Sequence, residues 1–171
     1  MKFIKKSTVV GMLFSSVLLL ASCGGGGGGG SSVSTAAPSG SGSFTLDPVT
    51  KVISGSITTS NVTGANAAHI HDGDVGVAGP VVVGLVQSSP GTWSVPANTA
   101  PLTDAQIARL NVGGYYVNVH TTLNPAGEIR GQLTQDSSTA NKFNATLDLA
   151  HEVPAPITPV SSVGTGVMGG Y

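Results

Sequence analysis

Three histidines carry most of the chemistry this chain could do. His69 and His71 stand two apart in Ala67-Ala68-His69-Ile70-His71-Asp72-Gly73. Side chains alternate along a strand, so both imidazoles would leave one face. His120 ends Tyr115-Tyr116-Val117-Asn118-Val119-His120, where alternation groups it with Tyr116 and Asn118 and puts Tyr115, Val117 and Val119 on the other face. Three converging imidazoles can bind zinc or copper. The same residues also suit a buried hydrogen-bond network with Asn118, Glu128 and Arg130. The residue types favour the network, because a charged pair on a half-buried sheet face more often fixes register than catalyses. Convergence itself depends on strand order, which the sequence leaves open.

Other chemistry finds little support. Asp72-Gly73-Asp74 offers oxygen ligands but lacks the remaining spacing of a calcium loop, so a turn is expected there. No Gly-x-Ser-x-Gly elbow and no phosphate-binding glycine loop before a helix occurs. Glu128 and Glu152 form a carboxylate pair only if the C-terminal segment docks beside the hairpin that carries Glu128. The expectation is a non-enzymatic domain with no catalytic residues and no cofactor. Zinc or copper at His69, His71 and His120 is the alternative.

The only cysteine, Cys23, follows Leu20-Ala21-Ser22 and precedes seven glycines. Lys2, Lys5 and Lys6 lead an apolar run over Val9–Ala21, which is the layout of an export signal. The run is shorter than the ~20 residues a membrane span needs. The segment resembles a bacterial lipoprotein signal with its lipobox, so residues 1–22 are expected to be removed and Cys23 to carry the lipid. That resemblance implies a diacylglycerol thioether and an amide-linked acyl chain, enough chains for stable anchoring. Gly24, with no aspartate in its place, points by analogy to the outer membrane. Removing residues 1–22 takes three of the seven basic residues and none of the eight acidic ones, leaving a formal charge of −4. A nucleic-acid footprint needs clustered Lys and Arg and is not expected.

Residues 23–42 are almost wholly small, glycine-rich and polar, and read as a flexible tether. Its r.m.s. span would be roughly 25 Å, at ~5–6 Å times the square root of the residue number. Residues 43–133 are expected to form one small antiparallel, sandwich-like all-β domain with a short helix at about 103–112. Phe44–Leu46 and Val52–Ile57 flank Asp47-Pro48, a turn signal, and predict a hairpin. Pro80–Val86 is a near-continuous apolar run and predicts a strand buried on both faces. Trp93–Val95 predicts another short strand. Thr103 and Gln106 match a capping box, Leu102 and Ile107 a hydrophobic staple, and Gly113-Gly114 a stop. Tyr115–His120 and Glu128–Leu133 form a second hairpin around Asn124-Pro125-Ala126-Gly127, a type I turn signature. If His120 faces Glu128, Asn118 faces Arg130 and Tyr116 faces Gln132.

Ala67-Ala68-His69-Ile70-His71-Asp72-Gly73, Gly79-Pro80-Val81-Val82-Val83, Tyr116-Val117-Asn118-Val119-His120-Thr121 and Asn124-Pro125-Ala126-Gly127-Glu128-Ile129-Arg130-Gly131-Gln132-Leu133 together resemble a CHRD domain. The resemblance spans about Thr35 to Leu133. It implies an all-β, sandwich-like fold and says little about activity; its best-known relative acts by binding secreted signalling proteins, which need not carry over. One departure stands out. The strand ending in Glu-Val-Pro that usually opens the family is absent before Thr35. It stands instead at the far end, as Phe143 to Pro156, followed by Gly164-Thr165-Gly166. Residues 134–171 therefore look like a partial second copy. Residues 143–153 either fray or supply the missing edge strand, in cis or through a strand-swapped dimer; cis completion is favoured. His-x-His followed by glycine-rich turns is also distantly similar to copper/zinc superoxide dismutases. Those enzymes draw on more histidines, an aspartate and a disulfide, and this chain lacks that set.

The chain therefore reads as a lipid-anchored envelope protein, carrying a domain that binds a protein or polysaccharide partner or serves as a structural module.

Overall fold

The computed structural model of the protein describes residues 36–157. The expected signal segment, Cys23, most of the tether and residues 158–171 lie outside the described residues. Within them the chain forms nine strands and one helix: β1 (Ser39–Leu46), β2 (Ile53–Ser60), β3 (Ala65–Asp72), β4 (Val81–Ser89), β5 (Thr92–Ser94), α1 (Asp104–Asn111), β6 (Tyr115–Thr121), β7 (Ile129–Gln132), β8 (Thr134–Gln135) and β9 (Lys142–Asp148). All pairings are antiparallel. The order β1-β2-β5-β4-β3-β6-β7-β9 returns to β1 through a β1–β9 pairing. The all-β expectation holds, and the sandwich-like sheet closes into an eight-stranded barrel. β8 continues β7 along the same side of β9, since Arg130↔Asp148 and Thr134↔Asn144 share one register.

The barrel interior is an apolar core. Phe44, Ile53, Ile57, Ile70, Val117, Val119, Ile129, Phe143 and Leu147 are all fully buried in it. α1 lies between β5 and β6 in the chain and adds Leu110 to the core, with Leu102 just before its N-cap also buried there. Its capping box forms as the spacing predicts. The Gln106 amide donates to Thr103 Oγ1 at 3.2 Å, and the Thr103 amide donates to Gln106 Oε1 at 2.8 Å. Ile107 packs against the core, as a staple to Leu102 requires.

Three sequence expectations change. First, β1 starts at Ser39, so Ser39–Gly42 are strand and not tether. Gly40 and Gly42 resemble linker by composition but sit where the barrel wall leaves no room for a side chain. A Cβ on Gly42 would stand 2.7 Å from Ile57 Cγ2, and one on Gly40 would stand 2.9 Å from the Thr58 carbonyl oxygen. Second, β4 is not buried on both faces. Val83 and Leu85 point inward, while Val81 is 53% and Val86 51% exposed. A barrel strand has one interior face, and among the described residues the outer side of these valines is left half exposed. Third, the C-terminal segment is strand only over Lys142–Asp148. It is no edge, because it pairs with β1 on one side and with β7 and β8 on the other. Phe143, Ala145 and Leu147 face the core with at most 6% exposure. Burying a large apolar side chain contributes about 1.5–3 kcal/mol, so β9 is a major part of the core.

Candidate functional site

The register of β6 against β7 is Tyr116↔Gln132, Asn118↔Arg130 and Val119↔Ile129. β3 pairs with the other side of β6, with His69↔Asn118, His71↔Tyr116 and Ala67↔His120. Directly paired residues share a face. His69 and His71 from β3, Tyr116, Asn118 and His120 from β6, and Arg130 and Gln132 from β7 therefore all stand on the outer side of one three-stranded patch. β6 is the central strand, and that strand order brings the histidines together.

The three imidazoles meet. Their ring centroids are 5.5 Å apart for His69 and His71, 4.8 Å for His69 and His120, and 6.0 Å for His71 and His120. One ring nitrogen from each lies within 4.8 Å of the others. Two backbone carbonyls set the protonation of the rings. His71 Nδ1 lies 2.9 Å from the Gly79 oxygen, and His120 Nδ1 lies 3.0 Å from the Pro125 oxygen. A carbonyl only accepts, so both Nδ1 atoms carry the proton and both Nε2 atoms present lone pairs. His69 Nδ1 stands 2.9 Å from His120 Nε2 and donates to it. Burial pushes all three histidines below their ordinary pKa. The neighbouring rings add to this for His69, and the carbonyl contacts partly oppose it for His71 and His120. The cluster is neutral at pH 7.

This outer face is not left to solvent. Arg130 and Asn118 are each only 1% exposed. The loop from Gly73 to Pro80 covers one end. Arg130 Nη2 donates to the Asp74 carbonyl at 2.7 Å, and Gln132 Nε2 donates to Gly73 and Gly113 oxygens at 2.8 and 2.7 Å. The Gly79 amide donates to Tyr116 Oη at 3.2 Å. Arg109 of α1 clamps the same loop through Asp72 at 2.9 Å and Asp74 at 3.0 Å. Asp72-Gly73-Asp74 is thus a loop held by arginine, as the turn reading implies. Tyr116 is flanked by two flat groups. His71 stacks on it at 4.9 Å and 7°, and the Arg130 guanidinium carbon lies 3.4 Å from its ring centre.

The segment after β9 covers the other end. Asn124 uses its side-chain amide like a strand neighbour: the Ile157 amide donates to Oδ1 at 2.6 Å, and Nδ2 donates to the Ile157 carbonyl at 3.2 Å. Glu152 is 4% exposed, against Gly127 of the β6–β7 turn. Gly127 has φ of 142°, and any Cβ there would run into the Glu152 carboxylate. Burial raises the Glu152 pKa, while the nearby Arg130 charge opposes that rise.

The expected polar network is therefore only partly the one that forms. Asn118 donates to the Ala126 carbonyl at 3.3 Å, and Arg130 holds the loop. Glu128 does not pair with Arg130: among the described residues, the ion pairs are those of Lys51, Arg109 and His151. The carboxylate nearest in effect to Arg130 is Glu152, brought from 22 residues further along the chain by β9. The carbonyls of Gly79 and Pro125 were not legible as site groups, because a backbone oxygen has no residue signature. Beside the patch, Val75, Arg130, Gln132, Thr146 and His151 line a cleft of about 280 Å³.

Comparison with curated proteins and comparison with solved structures each found no match. The family model of the CHRD domain matches residues 28–133, and it therefore includes β3, β4, β6 and β7, the strands that carry and border the histidine patch. With that match over more than half of its length, the chain belongs to the CHRD domain family.

Proposed function

We propose that this protein is a lipid-anchored, non-enzymatic CHRD module of the bacterial cell envelope, placed at the outer membrane and serving to bind a protein or polysaccharide partner. The observation that carries the anchoring is Leu20-Ala21-Ser22-Cys23 behind a basic and apolar leader. Cys23 would hold the acyl chains, and the residues from Gly24 to the start of β1 at Ser39 would hold the barrel clear of the headgroups. The cleft lined by Arg130, Gln132, Thr146 and His151 offers side chains with hydrogen-bonding groups, and it is where a partner such as a polysaccharide would rest.

The test is metabolic labelling with an alkyne fatty acid, followed by fractionation of cells expressing the full chain. The wild type should be labelled and sediment with membranes. Cys23→Ala should lose the label and leave the membrane fraction while its barrel melts unchanged. An unlabelled, freely soluble wild-type chain would refute the anchored reading.

A further inference from the structure

We infer that His69, His71 and His120 form a binding site for one divalent transition-metal ion of the zinc or copper class, with an open position left for an exchangeable ligand. The inference does not depend on lipid anchoring. It rests first on convergence, with one nitrogen per ring within 4.8 Å of the others. Zinc–nitrogen bonds of about 2.0–2.1 Å place tetrahedral ligands about 3.4 Å apart. A pair at 2.9 Å and an outer limit of 4.8 Å bracket that spacing, so small ring movements suffice.

The second observation is independent of spacing. His71 is only 7% exposed, and its Nε2 is buried with no well-formed hydrogen bond among the described residues, beside the Asn118 side chain whose Oδ1 is likewise unpartnered. His71 Nδ1–H donates to the Gly79 carbonyl, so Nε2 of the neutral ring can only accept. A buried lone pair without a donor is what a metal ion would satisfy. His120 is held in the same way at Nδ1, by the Pro125 carbonyl, while its Nε2 lone pair is turned to the cluster and accepts from His69 Nδ1. Backbone carbonyls that hold the far nitrogen of a ligating imidazole fix its tautomer and raise its basicity. His69 would bind by giving up its hydrogen bond to His120 and moving its proton to Nε2, so every ligand stays neutral.

The surroundings suit a cation held at the surface side of the barrel. The buried Glu152 carboxylate offsets the Arg130 charge that lies toward His71. Across β4, His69 faces Gly84, and a Cβ there would only just reach the imidazole, at 3.9 Å. No side chain therefore stands opposite His69 on that strand, and Val81, paired with His71, is 53% exposed. Three protein ligands with a free fourth position describe an exchangeable site rather than a closed structural one. Imidazole sets accept zinc and copper, and copper(II) binds more tightly than zinc in the divalent series.

Isothermal titration of the full chain in detergent, with zinc chloride and copper(II) chloride in separate runs, tests this. One ion per chain is expected, with copper tighter. His69→Ala and His120→Ala, both at half-buried rings, should weaken binding at least about 100-fold while melting cooperatively without metal. His151→Ala, outside the cluster and paired with Asp148 at 2.7 Å, should bind like wild type. The inference is overturned if neither metal saturates at one per chain, or if His69→Ala and His120→Ala bind as the wild type does.

Discussion

At the scale of single residues, the chain spends burial on groups that resist it. His71, Asn118, Arg130 and Glu152 are each at least nine-tenths buried on the outer side of a barrel whose interior is apolar. The three histidines are kept neutral by that burial, and this has a consequence for stability. Their folded-state pKa values lie below the ordinary value of about 6.5. At mildly acid pH the unfolded chain therefore binds protons that the folded chain refuses. The stabilisation is complete above the unfolded pKa and is lost as pH falls from there through the lowered folded values. Denaturant titrations of the metal-free protein at pH 7.5, 6.5 and 5.5 should show stability falling mainly below pH 6.5. His69→Ala/His120→Ala should flatten that fall, and an unchanged slope would show that the histidines are not its source. Sequence alone placed His69 with His71, and His120 with Asn118, because alternation along a strand requires only the sequence. Glu128 does not pair with Arg130, whose guanidinium is held by the Asp74 carbonyl and by the Tyr116 ring, partners that only the tertiary structure brings to it.

At the scale of elements, β9 decides whether the barrel closes. Its three inward residues, Phe143, Ala145 and Leu147, are buried where β9 pairs with β1, Ala145 opposite Gly42 and Leu147 opposite Gly40. Leu147→Ala should cost about 2–5 kcal/mol, as for other fully buried leucines, read from the denaturant midpoint. A chain ending at Leu133 should lose its cooperative melt, and a retained sharp transition would show that β9 is dispensable. The hairpins, the helix and the β6–β7 register were legible because turns, caps and alternation are local signals. The start of β1 was not, because Gly40 and Gly42 look like tether until their close neighbours are known. The exposed face of β4 was missed because an apolar run does not say how many of its sides are covered.

At the scale of the whole molecule, closure and the histidine patch belong together. The same C-terminal segment that completes the wall with β9 carries Glu152 onto Gly127 and pins Ile157 to Asn124. A strand-swapped dimer would exchange this segment between two copies and keep both contacts, so the patch is built the same way in either form. Strand order, which no single stretch of sequence states, puts β3 and β7 on opposite sides of β6 and so makes a site of three separate motifs. Electron paramagnetic resonance of the full chain loaded with one equivalent of copper(II) tests that juxtaposition most directly. The account predicts a single species with hyperfine coupling to three imidazole nitrogens, reduced to two in His69→Ala. A spectrum of free copper, or one unchanged by removing His69, would contradict it.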